Sequence, residues 1–528
     1  MGENSEEVAV GTRVSCDGHH GVVRYRGPVV DTKGTWLGIE WDDQHRGKHN
    51  GCHNGVQYFN TSWETGGSFI RPQKVDRTLS VVEAVRQKYF STLSALEGPS
   101  ASEDDKDVLL YPFVQNRVVE FVGPEKITAR LTRGEIQEAS LEHMPVDCPG
   151  AEGELGALVP KLRTLVLSHT LLTSWHQVAL VARQLPHLAS LHLSKNVLEL
   201  PEHPAELRDS FKALRHMVLR DVGYSWDEAV HCADMWPWVE DLVLSCNGIS
   251  TLRPPPECLF QQLEHLSLQE NPIASWETVC HLGHLPRLKS LMLADCDLTS
   301  VSFPETPPGQ KTPLFASLVC LNLHNNRLEE WVSVAELYKL PLLEDLIVKG
   351  NPVMVRERRY VTRCLLLAHL AGLKVLDRMA VSRDERREAA IYYVNRFFPL
   401  YLQCGGSADG ATPSMEFLRE HPRFLALLKM YGAPVTVPDG KVSVTMMKLI
   451  SILSFASVEV FVRLQWQSST MSVEKLRALV MQLFPRKGSR FQLSLASTEE
   501  GKESVLNSDF KPLNFYDIVE GSRIYVRW

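Results

Sequence analysis

Gly47-Lys48-His49-Asn50-Gly51 is the stretch whose residue types point most directly to chemistry. A lysine between two glycines offers an ammonium on a backbone that can turn with φ > 0 and admit another chain closely. Its natural partner is a glutamate or a terminal carboxylate, through a charge-assisted contact. Trp36, Phe59 and Phe69 supply flat apolar surface for the walls of a groove, and Arg71 a second cation. By residue type, such a set suits a carboxylate and an aromatic side chain. Trp41 and Trp63 read as core or support.

Catalytic arrangements are missing from the sequence. There is no GxxxxGK[ST], GxSxG or HExxH motif. Cys280 and His284 stand four apart, half of a metal site with no second half at sensible spacing, so they read as a core cysteine beside a surface histidine. No catalytic residue, metal ligand or cofactor is assigned, and the expectation is a binding protein and not an enzyme.

The elements that must position the loop lie between Gly11 and Val75. This block holds 11 of the 32 glycines, a density that rarely suits helices. Between the glycines run Gly21–Tyr25, Trp36–Trp41 and Val56–Phe59, short β-type segments that predict a bent antiparallel sheet. The block carries eight Lys or Arg against six Asp or Glu, a balance of +2, while the whole chain carries −7. A mildly basic module on an acidic chain suits an acidic partner and argues against non-specific nucleic-acid binding.

The runs GVVRYRGPV, GTWLGIEWDD, GKHNG, GVQYF and GSFIRPQKV resemble, in that order, the CAP-Gly domain. That family binds acidic C-terminal tails ending in an aromatic residue, notably the Glu-Glu-Tyr end of α-tubulin. The resemblance implies a tail-binding groove at Trp36, Gly47, Lys48, His49, Asn50, Gly51, Phe59, Phe69 and Arg71. The family loop usually reads GKNDG; here His49 replaces Asn and Asn50 replaces Asp, which blurs selectivity for tyrosinated tails.

At 528 residues, 44% apolar and 23% charged, several soluble domains are expected. Eleven cysteines, an odd number without a CxxC pair, predict a reduced cytosolic chain. The opening MGENSEEVAV is not a signal peptide, and no run approaches 18 apolar residues. After a CAP-Gly domain at 8–76, Ser80–Phe90 predicts an amphipathic helix, Gly98–Asp107 a polar loop, and 77–160 a connector and N-terminal cap.

Residues 161–403 carry a repeat. Apolar residues recur at offsets 0, 3, 5 and 10 with Asn at offset 8, as in Leu263, Leu266, Leu268, Asn271 and Ile273. Starts at 162, 188, 214, 239, 263, 288, 318 and 343 give the leucine-rich-repeat period. Offsets 3 and 5 point into the core from a short strand, and the Asn can bond backbone where repeats turn. Trp175, Trp226, Trp276 and Trp331 fall just past offset 10 and read as core of the convex side. Offsets 4, 6 and 7 place His192, Lys195, Arg220, Asp221, Gln269, Glu270 and others on a polar concave face that suits a protein partner. Leu373–Arg378 and the helix at 381–403 read as the C-terminal cap, and 404–441 as a linker with a helical segment.

Residues 442–528 read as ββαββ: Lys448–Leu453 with Val460–Trp466 as a hairpin, a helix from Ser472, and strands at Phe491–Leu495 and Ser522–Trp528. This resembles a ubiquitin-like β-grasp domain that ends without Gly-Gly, hence an interaction domain. The fold class is thus multidomain α+β: a small β CAP-Gly domain, an α/β leucine-rich-repeat solenoid and a ubiquitin-like domain. That order resembles the tubulin-folding cofactor E family. The resemblance implies a chaperone of cytoplasm and cytoskeleton that binds α-tubulin and acts with cofactors C and D, which bring β-tubulin, in heterodimer assembly and dissociation. Two other readings are a microtubule-associated adaptor and an adaptor to the proteasome or ubiquitin-pathway proteins. No membrane or nucleic-acid partner is expected.

Overall fold

The computed structural model describes residues 8–90 and 135–434, then 459–463, 473–474, 476–477, 481, 491–496, 503–506 and 523–527. The chain divides into two compact units, one up to Thr362 with Leu370–Val381, the other comprising Arg363–His369 and the chain from Ser382.

The first unit opens with strands β1 (Arg13–Cys16), β2 (His19–Pro28), β3 (Thr35–Trp41), β4 (Cys52–His53), β5 (Val56–Gln57) and β6 (Gly67–Ile70). β1, β2, β3 and β6 form one antiparallel sheet in that order, and a bulge between Val23 and Tyr25 bends it. Val14, Cys16, Val23, Leu37, Ile39 and Trp41 fill its core. β4 and β5 form a separate hairpin. The expected strand Val56–Phe59 is shorter, because Phe59 leaves it to become buried. Trp41 is core as expected, whereas Trp63 is 53% exposed and supports nothing.

Ser80 caps the next helix, Val81–Val85. Its Oγ accepts the Glu83 N–H at 3.1 Å while the Glu83 carboxylate takes the Ser80 N–H at 2.9 Å. Arg86–Phe90 continues as a π-helical turn, so the predicted helix is α-helical only over its first half. Leu79–Ser80 pairs with Val146–Cys148, and Glu138–Ser140 is the first strand of the repeat sheet. The outer edge of that strand is met by Tyr89, whose phenol accepts the Ser140 N–H at 2.8 Å and faces the Ser140 carbonyl at 3.4 Å. The predicted Gly98–Asp107 loop lies outside the described residues.

Three-residue strands centred on Leu165, Leu191, Met217, Leu242, Leu266, Leu291, Leu321 and Leu346 pair in parallel, one per predicted repeat. With Glu138–Ser140 before them, and Val375–Leu376 and antiparallel Met379–Ala380 after, they make an eleven-stranded sheet. The offset-8 asparagines stitch repeats together. Buried Asn271 accepts the N–H groups of Asn247 and Ile249 at 2.9 and 3.0 Å and donates to the carbonyls of Leu244 and Leu268 at 3.0 and 2.9 Å. Asp377 does the same accepting job at the end, from Val348 and Lys349.

The residue at offset 7 is left-handed in every repeat whether or not an asparagine follows, Gly350 with φ 87° among them. His169, Lys195, Asp221, Cys246, Glu270, Asp295 and Asn325 have φ between 52° and 60°. Trp175, Trp226 and Trp276 begin helices on the face opposite the strands and are at most 2% exposed; Trp331 opens a fourth and is half-buried.

The second unit contains the helices Arg383–Gln403, Met415–Glu420 and Phe424–Tyr431. The first was expected to extend the repeat cap, but it groups instead with the two that follow. Residues 404–434 are therefore a packed segment, against the expected linker. Phe417, Phe424, Leu427 and Leu428 are buried, and Gly406 leaves room for the Tyr401 ring, 2.3 Å from where a Cβ would stand. Buried Tyr393 donates its hydroxyl hydrogen to His421 Nδ1 at 2.6 Å.

Further on, Glu459–Arg463, Arg523–Arg527, Gln492–Ala496 and Glu503–Val505 form an antiparallel sheet in that order. Val473 and Leu476 are buried on helical backbone. Lys448–Leu453, the expected hairpin partner, lies outside the described residues. Among the described residues no helix is long and apolar enough to cross a membrane.

Candidate functional site

A groove of about 550 Å³ opens where β3, β6 and the 46–49 loop meet. It brings together Trp36, Lys48, His49, Phe69 and Arg71. Their backbone is fixed by the sheet: Lys48 N–H donates to the Gly67 carbonyl at 2.7 Å, and Gly67 N–H returns a bond to the His49 carbonyl at 2.7 Å. Arg71 lies over the Trp36 ring at 3.8 Å and donates to the Thr35 carbonyl, while the Trp36 indole N–H donates to Thr32 at 2.7 Å. This wall is therefore preformed.

The two loop glycines are needed for different reasons. Gly51 takes φ 95°, and a Cβ there would lie 1.9 Å from the Phe59 carbonyl oxygen. Gly47 is not left-handed, contrary to the expectation that both glycines turn the chain. It is required by close approach, since its Cβ would stand 2.1 Å from the Thr65 carbonyl oxygen.

His49 fills the place of the usual Asn in a specific way. Its Nδ1 accepts the Gly51 N–H at 3.0 Å, the bond an Asn side chain makes to the backbone two residues on. The ring lies 5.0 Å from Phe69. Burial, with nearby His53 adding to it, holds the His49 pKa below the usual range, so the imidazole is neutral and its Nε2 carries the hydrogen.

Four predicted residues do not line the groove: Gly47 and Gly51, which shape its loop, and Phe59 and Asn50. Phe59 is 7% exposed and sits beneath Gly38, its ring 5.4 Å from Phe69, which it supports from behind. Asn50 is exposed; what matters is its carbonyl, held by the Gln57 amide at 2.9 Å. The groove also contains two cations that sequence reasoning passed over, Arg46 and Lys74. A signal for each was present: Arg46 precedes Lys48 by two, and Lys74 follows Arg71 by three across the turn Pro72–Lys74. With Lys48 and Arg71 they make four cations against one carboxylate, Asp17.

The strand face of the repeats is a second candidate surface. It is less uniformly polar than expected. Val166, Val218, Val243, Met292 and Ile347 occupy the third position of their strands and are half-buried. Arg220 is engaged by Glu270 at 2.9 Å, and Asn325 by Asp295. Among the described residues no group of three or more His, Cys, Asp or Glu could hold a metal ion.

These features define a peptide-groove domain joined to a leucine-rich-repeat array. Residues 10–75 match the CAP-Gly domain family. Over nearly its full length the chain is similar to proteins named tubulin-specific chaperone E: 37% identical to that of Danio rerio (98% of this chain, 99% of that one), 33% to that of Homo sapiens (98% of each) and 32% to that of Drosophila melanogaster (98% of each). The chain belongs to the tubulin-specific chaperone E family. Among solved structures, similar ones include the Bik1 CAP-Gly domain with an ETF peptide from Bim1 (30% identity, 12% of this chain and 78% of that one, TM-score 0.12). Another is the leucine-rich-repeat protein LegL7 of Legionella pneumophila (14% identity, 46% and 82%, TM-score 0.34).

Proposed function

We propose that this chain is a tubulin chaperone that works by binding and not by covalent catalysis, gripping α-tubulin at two places. The acidic, aromatic-ended tail enters the groove. Lys48, Arg46, Arg71 and Lys74 meet its carboxylates, and Trp36 and Phe69 flank its last ring. The strand face of the repeats, with its half-buried apolar stripe, takes the folded body of the same partner. Two contacts on one chain raise the effective concentration of the second, so each can be weak alone. In this role the chain acts with cofactors C and D and their β-tubulin in joining or separating the heterodimer, in cytoplasm and at the cytoskeleton. The C-terminal domain is a ubiquitin-like docking module for a further partner such as the proteasome.

The observation that carries this reading is the groove's four-to-one excess of cations around two aromatic walls, on a chain of the chaperone E family. The test is α-tubulin affinity of the intact chain, with and without the tubulin tail. Tail removal should weaken binding well beyond the affinity of an isolated tail peptide. Equal affinity for tailed and tailless α-tubulin would sink the two-grip mechanism.

A further inference from the structure

We infer that the groove-bearing domain is latched to the first repeats by a seam of histidines that opens on protonation. The seam is built from both sides. From the small sheet come Arg13, 7% exposed, and Asp42, joined by two bonds of 3.0 and 2.5 Å, together with His20 at the start of β2. From the repeat side come His143 and His169, at equivalent left-handed turns with φ 64° and 52°.

The His169 ring meets His20, His143 and Asp42. It lies 4.7 Å from the His20 ring and 4.5 Å from the His143 ring, and its Nε2 is 3.8 Å from the Asp42 carboxylate. Its Nδ1 is 2.5 Å from Nδ1 of His143, a separation that admits one hydrogen and not two. His20 is 1% exposed, and among the described residues neither of its ring nitrogens has a hydrogen-bond partner. The fixed charges facing this group are Arg13 and Asp42 from the small sheet and Lys195 from the next repeat. Asp42 is the one carboxylate among them, and Arg13 already holds both its oxygens.

A seam of this kind is stable with neutral imidazoles. A second hydrogen between His143 and His169 would break their bond and set the N–H of one imidazolium against the N–H of its neutral neighbour. A charge on His20 would be buried next to Arg13 with no acceptor in reach. Burial, reinforced by the neighbouring histidine, depresses both His169 and His20, the latter to about 4. The sign follows from linkage. Groups whose folded pKa is lowered stabilise the docked state fully above the ordinary histidine value, ~6.5, and that contribution is lost as pH falls through the lowered values. Acidification therefore undocks the domain before it unfolds either part. The groove itself needs none of these residues, so the seam stands or falls apart from the proposed ligand.

Hydrogen exchange of the intact chain between pH 7.5 and pH 5, corrected for intrinsic rates, tests this. Protection of segments 13–20, 139–143 and 165–169 should fall on acidification while the central strands, 241–243 to 290–292, keep theirs. The double variant H143Q/H169Q should lose most of that pH dependence, and H20F, which leaves that pair in place, should still undock but at a lower pH than wild type. Seam and central strands losing protection together, or a double variant with unchanged pH dependence, would overturn the latch. Tail-peptide affinity measured on the same samples reports the groove independently.

Discussion

Replacing Lys48 with Ala isolates one cation of the groove without touching its walls. The Lys48 side chain is exposed at the groove mouth, whereas Arg71 is stacked on Trp36 and its loss would also free the indole. A charge-assisted hydrogen bond contributes ~1.5–3 kcal/mol, and exposure to water moves the expectation to the lower end. We expect about 1–2 kcal/mol, or roughly 5- to 30-fold weaker binding of a peptide ending Glu-Glu-Tyr. The groove keeps three cations against Asp17, so binding is weakened and not abolished. Fluorescence anisotropy at low and at high salt measures it, and the gap between wild type and variant should narrow as salt screens the contact. The same peptide with an amidated C-terminus shows whether Lys48 reads the terminal carboxylate or an upstream glutamate. Equal affinities of wild type and variant at low salt, with unchanged thermal unfolding, would refute the assignment.

Gly47→Ala should cost about 1–3 kcal/mol of small-domain stability and displace the Lys48 loop, because the new methyl lands on the Thr65 carbonyl; melting and peptide binding of the variant check this together. Phe59→Ala should destabilise that domain by about 3–5 kcal/mol; a stable variant with only a weaker peptide affinity would return Phe59 to the groove wall. Asn271→Ala, which strands two N–H groups and two carbonyls between repeats, should cost about 3–5 kcal/mol in denaturant unfolding. His421 is held neutral by burial, its pKa lowered to about 3, with nearby His369 adding to the shift. The second unit should therefore lose stability as pH falls from ~6.5 towards that value, and a His421→Gln variant should flatten this part of the profile.

The repeat array was the most legible part of the chain. Its period is set by burial, and burial selects leucine at fixed offsets, so every predicted start has a strand. The left-handed residue at offset 7 was not legible, since His, Lys, Asp, Cys, Glu, Asn and Gly all occupy it. In the groove, charge and aromaticity picked out Trp36, Lys48, Phe69 and Arg71, which the fold brings together. They did not separate Phe69 from Phe59, because wall and support differ only in which side of the same aromatic cluster meets water. Gly47 was read as a turn residue when it serves close packing; one residue type answers both needs. The 404–434 segment read as a linker with a helical segment by its Gly and Ser content, but its helices pack on Tyr393 and Tyr401 of the helix just before it.

Tyr89 meets the edge of Glu138–Ser140 as a neighbouring strand would, taking the outward N–H of Ser140 and facing its carbonyl. At the far end, Met379–Ala380 folds back antiparallel to close the ladder. A ladder of ten parallel strands is otherwise a template: a second copy could extend it by ordinary strand pairing. A phenol at one end and a reversed strand at the other blunt that template. The consequence is colloidal. Both ends resist pairing with a second copy, and Tyr89→Phe should raise the tendency to self-associate on concentration while leaving the fold intact.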